Sequence, residues 1–280
     1  MKFNIIGAGR LGINLALALV KKHELVAVCN SSLASAKSAV KIIGKGAAVA
    51  SISELDVADV TFICTPDDVI KNVAHSLESC ENIKPQSIVV HCSGLLKSSV
   101  LANLHLNGCK VASMHPFKSF SARVWHNSAF TNCNCALEGD DDACVILTNL
   151  LRDIDALPFS IASDKKALYH AGAVMASNYL VTLADISTSL LVQAGVTQES
   201  AKNMISNLMQ ASLDNIAAHK DIADALTGPI ARADLRTVSE HVQSIGSAAT
   251  TQLYKKLGMQ TLAFARLKEQ DKIKLTEILT

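Results

Sequence analysis

Ten residues near the start, FNIIGAGRLG (residues 3–12), constrain the fold of this chain more than any other stretch. A short apolar run leads straight into Gly7, Gly9 and Gly12 at GxGxxG spacing, and a helix-like segment follows. At that spacing the first glycine permits a tight turn and the second lets backbone approach a pyrophosphate. The third allows close helix-to-strand packing, and the helix N-terminus then faces the phosphates. Gly7, Gly9, Arg10, Leu11 and Gly12 are therefore expected to form the phosphate turn of a dinucleotide site.

The rest of the first half repeats the alternation. Apolar strand-like runs occupy residues 2–6, 25–29, 59–64, 87–92, 110–114 and 133–138, with helix-like segments at 10–22, 33–43 and 67–80. Strands apolar throughout and separated by helices predict a mostly parallel sheet covered on both faces, the doubly wound α/β architecture. After about residue 160 the strand signal ends and residues 163–279 read as helix. The expected organisation is a dinucleotide-binding domain over 1–160 and an all-helical domain over 161–280. From Ser163 to Ala194 only Gly172 interrupts, so one helix of roughly 45 Å is expected, ended by Gly195 and followed by a helix capped by Thr197.

The second strand ends in Asn30, Ser31 and Ser32, where an NAD-binding protein usually carries an acid for the ribose 2′-hydroxyl. Hydroxyls, an amide and a nearby cation suit a 2′-phosphate instead, with Arg10 and Lys37 as cations, so NADP is expected over NAD. In a parallel sheet ligands lie beyond the carboxyl ends of strands. Thr65, Pro66 and Asp67, and Ser93 and Gly94, are therefore expected at the cofactor. His91, near the end of a buried strand, reads as a core histidine or a catalytic one.

The 280 residues carry 26 Lys and Arg against 25 Asp and Glu, which gives no electrostatic reason to expect nucleic acid or an anionic membrane. The start lacks the features of a secretory signal and no uncharged apolar run approaches the ~18 residues of a membrane span; a cytoplasmic protein is expected. Eight cysteines fall mostly within apolar runs and read as small buried hydrophobes, and the Cys133 and Cys135 spacing is not that of a zinc site, so no metal is expected.

The segments GAGRLG, CTPDD, HCSGLL, HPFKSF, EGDDDA, DKKALYHAGAVMASNYLVTL and LTGPIARAD resemble proteins that join a Rossmann-like domain to domain of unknown function 2520. These are distant relatives of pyrroline-5-carboxylate reductase and the β-hydroxyacid dehydrogenases. The resemblance spans nearly the whole chain and implies a Rossmann domain, a helical domain, a homodimer through the helices, and NAD(P)-dependent oxidoreductase chemistry. After LTGPIAR the family usually has glycine where this chain has Ala233. Many β-hydroxyacid dehydrogenases carry Lys followed four residues later by Asn; Lys166 matches the first and His170 stands at the second.

At about 100° per residue, Lys166, His170 and Ser177 share a stripe, flanked by Asn178, Asp185 and Thr188, with Leu168, Met175, Tyr179, Leu183 and Ile186 opposite. Asp185 and Thr188 read as solvated. The stripe near Lys166 and His170 reads as a cleft wall, with either residue as proton donor and Asn178 and Ser93 as hydrogen-bonding partners. His115, just after a strand, reads as a further catalytic candidate or a fixed turn. Arg232 is expected to hold a substrate carboxylate, or to pair with Asp234 in its loop. The function expected is NADPH-preferring hydride transfer to or from a small carbonyl, imine or hydroxy acid. The alternative is a non-catalytic dinucleotide-binding sensor or interaction protein.

Overall fold

The computed structural model describes residues 1–120 and 124–280. Among them one sheet of eight strands is formed, in the order β3-β2-β1-β4-β5-β6-β7-β8. The strands are β1 (Lys2–Ile6), β2 (Glu24–Cys29), β3 (Ala47–Val49), β4 (Val60–Ile63), β5 (Ile88–His91), β6 (Lys110–Pro116), β7 (Asn134–Gly139) and β8 (Leu157–Ser160). All neighbours are parallel except β6 and β7. The intervening helices are α1 (Arg10–Leu19), α2 (Leu33–Ile43), α3 (Asp67–Glu78), α4 (Ala102–Leu106) and α5 (Asp141–Arg152). This is the doubly wound α/β class that the apolar runs predict. Two strands, β3 and β8, were not expected. The first has only three residues, and the second, LPFS, lies at the sheet edge with a proline and little burial, so neither carries a periodic signal.

Alternate residues of each strand feed two apolar layers. Phe3, Ile5, Phe62, Val90 and Met114 face α1, α2 and α5, while Ile6, Ile63, Val89 and Val111 face α3 and α4. The glycine turn depends on missing side chains. Gly7 has φ +90°, and a Cβ on Gly12 would lie 2.5 Å from the Gly7 carbonyl oxygen.

The helical part comprises α6 (Lys166–Gln193), α7 (Gln198–Ala218), α8 (Gly228–Ala231), α9 (Leu235–Ser244), α10 (Ala248–Phe264) and α11 (Glu269–Leu279). α6 has 28 residues, about 42 Å at 1.5 Å each. Gly195 follows it with φ +94°, and the Thr197 hydroxyl caps α7 by accepting from the Ser200 N–H. The chain divides into two compact units, Met1–Ser177 and Asn178–Thr280. The first unit thus includes the opening turns of α6, beyond the change of composition near residue 160. In the second, Val238, Leu262, Leu275 and Leu279 form a small core from α9, α10 and α11. No helix among the described residues is long and apolar enough to cross a membrane.

Ala233, at the position where glycine was expected, adopts φ +53°. The loop therefore keeps a glycine-like backbone without a glycine. A left-handed alanine costs roughly 1–2 kcal/mol, and the freedom glycine adds to the unfolded chain returns roughly 0.4–1. Ala233→Gly is expected to stabilise the protein by about 0.5–1 kcal/mol, read as a higher urea midpoint at unchanged slope. A lower midpoint would show that this backbone is not strained.

Candidate functional site

The first half of the site is backbone. The Gly7 N–H donates to the Cys29 carbonyl at 2.8 Å and the Ala8 N–H to Asn30 Oδ1 at 2.6 Å, so the end of β2 holds the turn open. Gly7, Gly9, Asn30, Ser31, Thr65 and Pro66 meet around one cavity of about 650 Å³, within the range of small-molecule and cofactor sites. Two features fit it to a dinucleotide. A Cβ on Gly9 would meet nothing within 4 Å, so that glycine leaves room at the start of α1. Thr65 Oγ1 is buried at the cavity edge with no hydrogen-bond partner among the described residues. Cys29, Ala50 and Ile52 give the far end an apolar lining suited to a flat base.

Arg10 is exposed and lines an adjoining groove of about 430 Å³ with Asn30, Ser35 and Ser38. Among the described residues no carboxylate lines either space. Lys37 lines neither, and the Ser32 hydroxyl caps α2 through the Ser35 N–H. Gly12 is buried beneath the turn and Leu11 is half-buried.

The second half is built by side chains on one sheet face. His91, Ser113 and Glu138 stand level across β5, β6 and β7, and His115, Ala136 and Phe159 stand level across β6, β7 and β8. Since alternate residues share a face, the two rows lie side by side. Lys166, first residue of α6, lands on the first row. Its ammonium donates to the Ser93 carbonyl at 3.1 Å and to Ser113 Oγ, and meets Glu138 Oε1 at 3.4 Å. Glu138 also accepts from the Ser98 N–H at 2.7 Å, from Ser98 Oγ at 2.8 Å and from Ser163 Oγ at 2.6 Å.

Burial pushes the Lys166 ammonium below its ordinary pKa, against the pull of Glu138. Burial alone would raise Glu138, but the hydrogen bonds from Ser163 and Ser98 and the charge of Lys166 hold it below the ordinary value. Lys166 is 1% exposed, with two hydrogen bonds and one ion pair, so it stands as a buried clamp within the fold and not on an open cleft wall. Ser93 is likewise occupied. Its hydroxyl donates to Asp67 Oδ2 at 2.7 Å and accepts from the Leu95 and Leu96 N–H groups, shaping the turn after β5.

Three histidines divide the remaining roles. His91 is fully buried. Its Nδ1 accepts from the Ser93 N–H at 3.2 Å, which leaves the proton on Nε2 for the Lys97 carbonyl at 3.1 Å; it is a core histidine. His115 Nδ1 lies 2.9 Å from the Tyr169 hydroxyl. Burial pushes the tyrosine up, so it keeps its proton, and pushes His115 down to about 4, helped by His170 and Lys166. The His115 and His170 rings meet edge to face at 5.6 Å, and among the described residues His170 Nδ1 is buried without a partner. Both rest on Gly94, where a Cβ would lie 2.5 Å from His170 Nδ1 and 2.8 Å from His115 Nε2. Ser93, His115, Lys166 and His170 thus converge within the first unit.

Asn178 and Arg232 belong to the second unit, and both side chains are exposed. Asp234 accepts from Thr237 N at 3.1 Å and Thr237 Oγ1 at 2.7 Å as the cap of α9, and no ion pair with Arg232 forms among the described residues. Asp185 is exposed as expected; Thr188 is buried, its hydroxyl donating to the Ala184 carbonyl at 2.7 Å. On the side of α6 opposite the polar stripe, Leu168 is 74% and Met175 66% exposed. Sequence reasoning missed Glu138, Ser98, Ser113 and Ser163. The one available signal is an acid inside the apolar run CALEG.

Removing one member of a buried pair leaves an uncompensated charge, at a cost of about 3–5 kcal/mol. Lys166→Met is expected to lose stability on that scale by chemical denaturation, and Lys166→Met with Glu138→Gln to recover part of it. Additive losses would show that the two groups are not coupled.

Residues 1–116 match the model of a Rossmann-like domain and residues 133–261 that of Domain of unknown function (DUF2520). No curated protein matches the sequence. Among solved structures, protein TM1727 from Thermotoga maritima is 28% identical, with a TM-score of 0.73 over 94% of this chain and 98% of that one. A pyrroline-5-carboxylate reductase from Coxiella burnetii is 16% identical, with a TM-score of 0.62 over 99% and 95%. The pyrroline carboxylate reductase of Plasmodium falciparum, solved with NADP bound, is 11% identical, with a TM-score of 0.59 over 100% and 98%. At the lower identities the likeness is one of fold. The chain thus carries a Rossmann-like domain over residues 1–116 and a DUF2520 domain over residues 133–261.

Proposed function

We propose that this protein is an NADPH-preferring oxidoreductase that transfers hydride to or from a small carbonyl, imine or hydroxy compound, with His115 and His170 handling the proton. The observation that carries it is the pair of ring nitrogens on Gly94, which follows β5, two strands over from β1 and its glycine turn shaped for a pyrophosphate. The bound nicotinamide supplies or accepts the hydride. The protein must then move a proton at the oxygen or nitrogen of the reacting bond. With the Tyr169 hydroxyl donating to His115 Nδ1, the imidazole proton sits on Nε2, the nitrogen that faces Gly94. His170 Nδ1, without a partner, is the second nitrogen there. Lys166 and Glu138 fix the helix that carries His170, four residues on. The 2′-phosphate preference rests on Arg10, Ser35 and Ser38 beside Asn30 and on the lack of a lining acid.

Titration with both nucleotides tests the cofactor, and a screen of carbonyls, imines and 3-hydroxy acids tests the chemistry. NADPH should bind more tightly than NADH, and Arg10→Ala should weaken NADPH about tenfold with little effect on NADH. His115→Gln and His170→Gln should bind NADPH as before and lose about 10²- to 10⁴-fold in turnover. Equal affinities would remove the preference. Tight binding with silence across the screen would favour the sensor.

Self-association is part of the same reading. From Gln210 to Ala218 every residue of α7 is exposed, Leu213 and Ile216 included, and Leu168, Met175, Tyr179 and Val181 of α6 are more than half exposed. So much uncovered apolar surface marks a contact region, which supports a homodimer. Sedimentation should give a dimer, and Leu213→Glu with Ile216→Glu a monomer. A monomeric unmodified protein would overturn this.

A further inference from the structure

Aromatic residues make up only 4% of the chain, yet three of them gather beside the histidine pair. Tyr169 lies 5.6 Å from His115, 5.4 Å from Phe117 and 6.2 Å from Phe159, centroid to centroid. The register explains the meeting. Phe159 stands level with Ala136 and His115 across β8, β7 and β6, Phe117 follows two residues after His115, and Tyr169 comes down from the first turn of α6. The rings are not a finished core. Phe117 is 40% exposed and Phe159 38% exposed, and the alanine between Phe159 and His115 adds almost no bulk. An incompletely covered apolar wall therefore adjoins the nitrogens assigned to proton transfer.

The charges point the same way. Two charges act on His115, that of Lys166 and, with the opposite sign, that of Asp67. Lys166 is committed to Glu138, Ser93 and Ser113, so its charge is already answered. Asp67 holds only the Ser93 hydroxyl, which leaves the surplus charge on this side negative. A substrate carboxylate placed against the histidines would lose its water and meet the charge of Asp67 and a lysine already paired with Glu138, an arrangement that opposes binding. A neutral flat group would instead cover the exposed rings, with offset or edge-to-face contacts open to it.

We infer that the substrate of this site is an uncharged carbonyl or imine compound, or its reduced form, that carries a planar apolar group such as an aromatic ring, and that Phe117, Phe159 and Tyr169 form its binding wall. This rests on the reading of the site as an oxidoreductase centre. The reacting carbon lies near Gly94, its oxygen or nitrogen faces His115 Nε2 and His170 Nδ1, and the ring lies against the phenyl groups.

The test uses the full-length protein saturated with NADP⁺ and three probes, acetophenone, phenylglyoxylate and acetone. The first two differ only in a methyl against a carboxylate, and the third lacks the ring. Dissociation constants from calorimetry or ligand-observed NMR should place acetophenone at least about tenfold tighter than either of the others. Phe117→Ala and Phe159→Ala should each weaken acetophenone by about three- to tenfold, with NADPH affinity and acetone binding unchanged. Phenylglyoxylate binding as tightly as acetophenone, or no saturable binding of any probe, overturns the inference. So do phenylalanine variants that change sedimentation but not affinity, since the rings would then be covered by a second copy. Failure of NADPH itself to bind is a separate result that removes the underlying reading.

Discussion

The contact between Lys166 and Glu138 is the point on which the chemistry-bearing half of the first unit depends. Either charge alone, buried at this depth, would cost several kcal/mol. Together, with Ser98, Ser113, Ser163 and the Ser93 carbonyl, they tie the turn after β5, the middle of β6, the end of β7 and the start of α6 into one network. A residue four positions on lies one helical turn away on the same face. Fixing Lys166 therefore fixes His170 above Gly94, where only a glycine can lie under both rings. The clamp is closed on itself, yet it decides where the His170 ring stands.

The reversal of one strand makes the clamp geometrically available. β7 runs antiparallel to β6, so Glu138, near the end of β7, stands level with Ser113 in the interior of β6. The same reversal brings Ala136 and, through β8, Phe159 into line with His115. Two rows of side chains with different characters result, one polar and closed, the other aromatic and partly open. The dinucleotide side of the sheet is arranged on another principle. There the absence of side chains at Gly7, Gly9 and Gly12 does the shaping, and the backbone presents the surface.

That contrast accounts for what could be read in the sequence. The glycine turn, the parallel core and the helical second half follow from local spacing and periodicity, which act over ten to thirty residues. The place of Thr65, Pro66 and Asn30 around one cavity was legible for the same reason, since strand ends in a parallel sheet are predictable places. The clamp was not. Lys166 carries the right residue type on the expected stripe, but its partner lies 28 positions earlier in a strand whose register no local pattern specifies. With no acid recognised opposite it, the lysine looked like a group facing a cleft. α6 misled for a related reason: a helix apolar on one side is normally read as core on that side. Here a satisfied charge is buried and Leu168 and Met175 are exposed. Ala233 shows the opposite case, a loop shape retained although the residue that ordinarily permits it is gone.

Asn30 occupies the place from which a ribose is usually read, but its carbonyl oxygen is bonded to the Ala8 N–H. The residue at the specificity position is thereby also a strut of the phosphate turn. On the proposed reading, nucleotide choice and loop integrity are mechanically joined at one side chain. A lineage under selection for a different nucleotide could not exchange this residue freely. It would have to keep an acceptor in place while altering what the rest of the side chain offers, or shift discrimination outward to Arg10 and the serines of α2. Evolution of cofactor preference in such a chain is channelled to the rim of the site, where substitutions leave the turn intact.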